Sequence, residues 1–373
     1  MLILEWTTCL IGTVPHSFRR SAPTFTRWYC SFGLGYLRDL LNNSKLMSTE
    51  PLVSIVCVTY QHRDLIGRAL DGFLSQRTNF PYEIIIHDDA STDGTAEIVQ
   101  DHTAADPEKY KIIRQTVNQH SKGIRPWPPC FAQASGKYIA LCEGDDHWFD
   151  PLKLQRQVDA MEADPGATGC FTNAYNVTDG VRQVFLGDYN SVPKGLVLDQ
   201  EEYLRGQGIP TCTFLFRREL VQTYNEVVLP FATGDTALFT LLTGMGHLIY
   251  QPVFTSVRLI HPGGVYSMKG PVHHLRVQLQ NLPEQDRVSS YRHHDVIQLR
   301  KEYALKKSWR EAMEKQNWEL ARLVWKHVAR DRAVLGWNMR ETILAGLRVH
   351  FPIGYARTLG SMRRLRRVLT WSA

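Results

Sequence analysis

Through the first half of the chain, short apolar runs alternate with segments of helical period. LVSIVCVTY (52–60) is brief and rich in β-branched residues, the mark of a buried strand. Leu65, Ile66, Ala69, Leu70, Phe73 and Leu74 then recur at spacings that place them on one helix face. YEIIIHDD (82–89), KYKIIRQ (109–115) and KYIALCE (137–143) predict three more strands. Between them lies a helix opened by Asp93, with Ala96, Ile98 and Val99 inside it, and a Pro-rich passage, IRPWPPCFAQASG (124–136), that ends in a turn. LKLQRQVDAMEADP predicts the next helix, with Pro151 suited to its first turn. Such alternation predicts an α/β fold built on a mostly parallel sheet with both faces covered.

Ligands of sheets like this settle at the carboxyl ends of the strands. Three of the predicted strands end in polar chemistry: Thr59-Tyr60, His87-Asp88-Asp89, and Glu143-Gly144-Asp145-Asp146. Convergence of three strand ends on one crevice is a stronger signal than any of them alone. Further along, 167–177 and 211–220 read as strands, 234–246 as a capped helix and 247–260 as strands. From about Asp286 the pattern is helical and basic to the end.

The chain has 373 residues, 43% hydrophobic and 21% charged, which is ordinary for a globular protein. Cys9, Cys30, Cys57, Cys130, Cys142, Cys170 and Cys212 are odd in number and form no CxxC pair. That scatter favours a reducing, cytoplasmic setting over a disulfide framework. The net charge of +6 is unevenly placed. From Arg300 onward, 17 Lys and Arg oppose 6 Asp and Glu, a net +11, so the rest of the chain carries −5. No apolar run is long enough to predict a membrane-spanning helix, and MLILEWTTCLIG lacks the basic start of a signal peptide. Residues 1–46 show no period, and Met47 begins a stretch that reads as a natural chain start, so 1–46 is expected to be an extension.

Three acids within four residues, Glu143 to Asp146, repel one another, which points to a cation or a substrate charge. Hard carboxylate oxygens suit Mg²⁺ or Mn²⁺, ions that share phosphate oxygens with one or two carboxylates. A divalent ion there offsets charge building on a diphosphate leaving group. Gly144 lets the backbone turn close to a ligand. In HDDASTDGT (87–95), Ser91 and Asp93 fit turn and helix-cap roles, whereas Asp88 and Asp89 are candidates to accept hydrogen bonds from a base or ribose.

SIVCVTYQ, LDGFLSQ, YEIIIHDDASTDGT, ASGKYIALCEGDDHW and DPLKLQRQV, in this order, resemble the nucleotide-binding half of bacterial family 2 glycosyltransferases, which have the GT-A fold. The resemblance covers about 51–175 and continues more weakly through TGDTALF (233–239) and RLIHPGGVYS (258–267). It implies a catalytic domain over 47–285, with a nucleotide-binding half (51–175), an acceptor half (176–285) and a helical basic region over 286–373. By the same resemblance Thr59 and Tyr60 lie beside the nucleotide and Asp88 reads the base. Gly144 and Asp145 then contact the donor, and Asp145 and Asp146 match the metal and sugar-nucleotide motif. Glu143 stands where the family usually has Asp. Asp235 takes the position of the general base of inverting transfer, although an Asp opening a helix is also a common N-cap. His261, ahead of Gly263-Gly264, is a candidate for the diphosphate or the metal, or else satisfies a strand end. Lys122 and Arg125 are candidates for phosphate, or solvated loop charges. Arg217-Arg218 either shape the acceptor site or are solvated.

The implied partners are a nucleotide-diphosphate sugar donor and a glycan or lipid-linked acceptor of cell-surface polysaccharide synthesis. Trp309, Trp318, Trp325 and Trp337 accompany the basic C-terminal region and suit the core of a helical bundle. The ending SMRRLRRVLTWSA suits the anionic inner face of a membrane. Nucleic-acid binding has no supporting motif. Two rival readings are a sugar-nucleotide nucleotidyltransferase and a non-catalytic glycan-assembly protein on the same fold. The first lacks a convincing Gly-rich phosphate loop in TYQHRDLIG.

Overall fold

The computed structural model describes residues 50–104, 106–186, 196–264, 266, 269–330, 336 and 338–351. The extension (1–46), Met47 and the basic ending (355–373) lie outside the described residues. In chain order the strands are β1 (Val53–Thr59), β2 (Tyr82–Asp88), β3 (Tyr110–Arg114), β4 (Tyr138–Leu141), β5 (His147–Trp148), β6 (Ala167–Thr178), β7 (Val181–Val184), β8 (Leu196–Leu198), β9 (Leu215–Arg217) and β10 (His247–Ile260). The α-helices are α1 (Ile66–Leu74), α2 (Thr95–Thr103), α3 (Trp127–Gln133), α4 (Lys153–Ala163), α5 (Gln200–Leu204), α6 (Val221–Val227), α7 (Gly234–Met245), α8 (Gly270–Val288), α9 (His294–Glu314), α10 (Trp318–Arg330) and α11 (Met339–His350).

One sheet runs β3-β2-β1-β4-β9-β6-β10-β5, with β7 on β6 and β8 on β10. β1 to β4 pair in parallel, as do β6 and β10, while β9 is antiparallel to both its neighbours. The parallel part needs cover on both faces, and the alternation within the strands supplies it. Ile55, Cys57, Ile84 and Ile86 pack toward α1 and α4 on one side. Val56, Ile85, Ile139 and Leu141 join Trp127 and Phe131 of α3 and Leu238 of α7 on the other. The helix cap expected at Asp93 falls on Gly94; Asp93 stands one residue before it, where Oδ1 accepts the Thr95 N–H at 3.0 Å.

Three departures from the sequence pattern matter. The Pro-rich passage holds a helix, α3, because its prolines fall in the first turn, where no N–H is needed. The expected strand 211–220 is a 3₁₀ turn at Thr211–Thr213 followed by the short β9. Helical structure begins at Gly270 rather than Asp286, and α8 continues through Pro283. α8 also ties two cores together: Leu282 packs into the sheet's core and Leu275 into a cluster with Leu305, Leu320 and Val324. Trp309, Trp318 and Trp325 pack partly buried against that cluster, as a helical bundle requires, and Trp337 lies outside the described residues. Among the described residues no helix is long and apolar enough to cross a membrane.

Candidate active site

Register brings the predicted strand ends together. Thr59 is the partner of Asp88 across β1 and β2, and the acid loop leaves β4 on the other side of β1. The loop bends over β1, with the Gly144 N–H donating to Val58 O at 2.9 Å. A Cβ on Gly144 would lie 2.6 Å from Thr59 Oγ1 and 2.9 Å from Ile66 Cδ1, so only glycine allows this approach. A cavity of about 440 Å³ opens there. Thr59, Tyr60, Asp89, Glu143, Asp145 and Asp146 line its strand-end wall, and Asp235, Asn281, Gln285 and Arg300, all on helices, form a second, helical wall.

The acids do not stand alike. Glu143 is partly buried, and its Oε2 is enclosed with no hydrogen-bond partner among the described residues. Burial, then the nearby charge of Asp145, pushes its carboxyl up to about 7. Asp146 is 6% exposed, and its Oδ1 accepts the Leu259 N–H of β10 at 2.9 Å. Burial and the charges of Asp145 and Glu143 raise its pKa well above the usual carboxylate range. Asp146, expected as a metal ligand, thus has one oxygen committed to the backbone. Asp145 turns instead toward two imidazoles: its Oδ2 lies 3.1 Å from His261 Nε2 and 3.9 Å from His62 Nε2. One ligand atom from each of His62, Asp145 and His261 fits within 4.8 Å of the others, close enough to share a divalent ion.

The second strand end is more structural than expected. Asp89 accepts the backbone N–H groups of Gln119 and His120, at 2.7 and 3.0 Å, and so pins the loop that brings His120 to the cavity. Asp88 is 2% exposed and its Oδ1 accepts the Ser91 hydroxyl at 2.5 Å. Its Oδ2 is buried without a hydrogen-bond partner, an acceptor in want of a donor. Lys122 is exposed and does not line the cavity.

Two expectations about arginines are replaced by backbone anchoring. Arg125, offered for phosphate, donates to Ala232 O at 3.0 Å and to Phe231 O. Arg217 donates to Ala167 O at 2.7 Å and Met161 O at 3.0 Å, and Arg218 to Gly136 O at 2.6 Å, which staples the strands rather than facing an acceptor.

The Arg125 contacts fall just before Asp235, and a second clamp meets them there. Asn281 of α8 accepts the Ala232 N–H at 2.7 Å and donates to the hydroxyls of Thr233 and Thr236, at 3.2 and 3.3 Å. Asp235 itself accepts the Thr236 N–H at 2.6 Å while lining the cavity. The N-cap position of α7 is Thr233, so Asp235 sits inside the first turn, not at the cap weighed from sequence. Sequence reading missed His62, Asn281, Gln285 and Arg300. The only available hints were the spacing from Thr59 to His62 and the paired polar residues Asn281 and Gln285 four apart on a helix.

A mixed α/β sheet with acids at its strand ends and a helical C-terminal region has the architecture of GT-A glycosyltransferases. Its backbone aligns with TarS residues 1–349 of S. aureus, solved with UDP-GlcNAc, at a TM-score of 0.57 and 16% identity over 84% of this chain and 91% of that one. Residues 54–224, somewhat under half of the chain, match the model of glycosyl transferase family 2. Over 121 residues it is 46% identical to an uncharacterized protein of Mycobacterium tuberculosis, covering 32% of this chain and 34% of that protein. Over 116 residues it is 35% identical to the Escherichia coli UDP-Glc:alpha-D-GlcNAc-diphosphoundecaprenol beta-1,3-glucosyltransferase WfaP, covering 30% of this chain and 42% of that protein. The matched stretches thus span less than half the length of these relatives.

Proposed function

We propose that this chain transfers a sugar from a nucleoside diphosphate sugar to a hydroxyl of a glycan or lipid-linked acceptor, with inversion, in polysaccharide synthesis. The observation that carries the reading is a single cavity whose two walls hold the two chemistries the reaction needs. On the strand-end wall, Asp145 and His261 form a donor set suited to a divalent ion, with the unpartnered Glu143 oxygen nearby. Mg²⁺ or Mn²⁺ held there supplies Lewis-acid charge toward the diphosphate. Thr59 and Tyr60, which line the cavity, flank the donor, and Asp88 sits behind them as the partner of Thr59 across the strands.

On the helical wall, Asp235 accepts the proton of the acceptor hydroxyl. That oxygen bonds to the anomeric carbon as the bond from carbon to the diphosphate oxygen breaks, and the electron pair leaves with the nucleoside diphosphate. Arg125 and Asn281 hold the backbone before Asp235, so the carboxylate meets the hydroxyl without a search. The WfaP name includes a diphosphoundecaprenol acceptor. A lipid-linked acceptor of that kind would bring this chain to the inner membrane face, with the basic ending as its contact.

The test is release of nucleoside diphosphate from a panel of nucleotide sugars, with Mn²⁺ and with sugar-diphospholipid acceptors present or absent. Acceptor-dependent release that disappears in Asp235→Asn, with donor binding retained, is the expected result. No release from any donor, or full turnover by Asp235→Asn, overturns the reading.

A further inference from the structure

His62 comes from a segment with no sequence signature for metal binding, yet the fold invests in aiming it. Gln61, just before it, adopts a left-handed backbone with φ of 58°. A residue with a Cβ holds that conformation only when its surroundings over-determine it. Here the Gln61 N–H donates to Ser91 Oγ at 2.9 Å, and its amide exchanges hydrogen bonds with Thr92, at 2.9 and 3.2 Å. The His62 N–H is held in turn by Thr95 Oγ1 at 2.9 Å. This bend swings the imidazole under the acid loop.

The ring is also oriented. His62 Nδ1 lies 3.1 Å from Thr59 Oγ1, and donation to that hydroxyl leaves Nε2 bare on the side of Asp145. A ligating histidine needs this arrangement, with one nitrogen fixed by a neighbour and the other free. His62 and His261 meet nearly edge to face, ring centroids 5.9 Å apart and planes at 78°, with Asp145 Oδ2 within reach of both.

We propose that His62 is a third protein ligand to the cation at Asp145 and His261, and that the two imidazoles select a first-row transition ion, Mn²⁺ or Co²⁺, over Mg²⁺. Imidazole nitrogen binds such ions well and Mg²⁺ poorly, whereas carboxylate oxygen serves both. The inference rests on the proposed cation site at Asp145, and its test separates the two.

The full chain, free of donor, is titrated calorimetrically with Mn²⁺ alone and with Mg²⁺ alone, and the Mn²⁺ form is examined by pulsed electron paramagnetic resonance, which counts coordinated imidazole nitrogens. The wild type should show two such nitrogens and prefer Mn²⁺ by at least about 10-fold. His62→Gln should show one and lose about 10- to 100-fold in Mn²⁺ affinity, with Mg²⁺ affinity changed by less than about 3-fold. Thr59→Val keeps the shape beside Gly144 but removes the tether; it should keep both nitrogens and lose about 10-fold, a control that does not depend on His62→Gln folding. One imidazole nitrogen in the wild type, or Mn²⁺ affinity unchanged in His62→Gln, overturns the role of His62 while leaving the cation site standing. Mn²⁺ binding that is absent from the wild type, or unaffected by Asp145→Asn, removes the site itself and the inference with it.

Discussion

The two walls of the cavity are built by different means. The strand-end wall is set by register: parallel pairing aligns Thr59 with Asp88, and the acid loop sits where β4 ends beside β1. The helical wall is set by side-chain hydrogen bonds across long sequence separations, with Asn281 holding the residues around Asp235 and Arg300 donating to Gln285 at 3.3 Å. Backbone register is shared among many residues, so single substitutions there act through local fit. A wall held by a few side-chain hydrogen bonds is sensitive to each of them. The strand-end wall should therefore fail through stability and donor binding, and the helical wall through turnover.

The largest expected effect tests this division directly. Asp235→Asn should lower turnover by about 10²- to 10⁴-fold, the usual worth of a general base, with donor affinity unchanged by calorimetry. A parallel fall in donor affinity would mean that the walls are not separable.

Next comes Lys153, fully buried behind the acid loop, where Nζ donates to Gln157 at 2.7 Å and lies 4.0 Å over the Trp148 ring. Burial lowers its pKa from 10.5 to about 8. Below pH 8 folded and unfolded chains are both protonated, and the folded state bears the cost of a buried charge, about 3 kcal/mol. Between about pH 8 and 10.5 the unfolded state holds more protons, so this cost fades as pH rises. The stability of the wild type relative to Lys153→Met should thus rise by up to about 3 kcal/mol from pH 7 to 10.5, measured by urea unfolding. A difference that stays flat with pH would place the charge in solvent.

Gly144→Ala should destabilise by about 1–3 kcal/mol, because its Cβ meets the Thr59 side chain, and donor affinity should fall with it. The smallest effect is expected on the helical wall. Asn281→Ala should reduce kcat by about 10-fold, comparable to losing a buried hydrogen bond, and leave the donor KM unchanged. Asn281→Asp keeps the acceptor for the Ala232 N–H and should recover part of the loss.

These walls also differ in how far the sequence revealed them. Strand ends were legible because buried parallel strands are short β-branched runs, and acids that follow such runs stand out. Asp235 could be named because an acid opens an apolar helix, and the resemblance gave that position a role. The remainder of the helical wall was hidden by Pro283, since a proline argues against helix and α8 nevertheless passes through it. Asn281 and Gln285 therefore fell outside the predicted helices. His62 was hidden for another reason. Its placement depends on a left-handed Gln61, which no local propensity favours and which Ser91 and Thr92 impose from thirty residues away. Arg125 and Arg217 were opaque in the opposite sense, since a guanidinium that binds carbonyl oxygens looks in sequence like one facing a ligand or solvent.

α8 is shared between the sheet's core and the helical bundle, and it lies beyond the stretch, 54–224, that matches the family. A packing change along this one helix is therefore felt in both cores, so the sheet and the bundle share a mechanical fate.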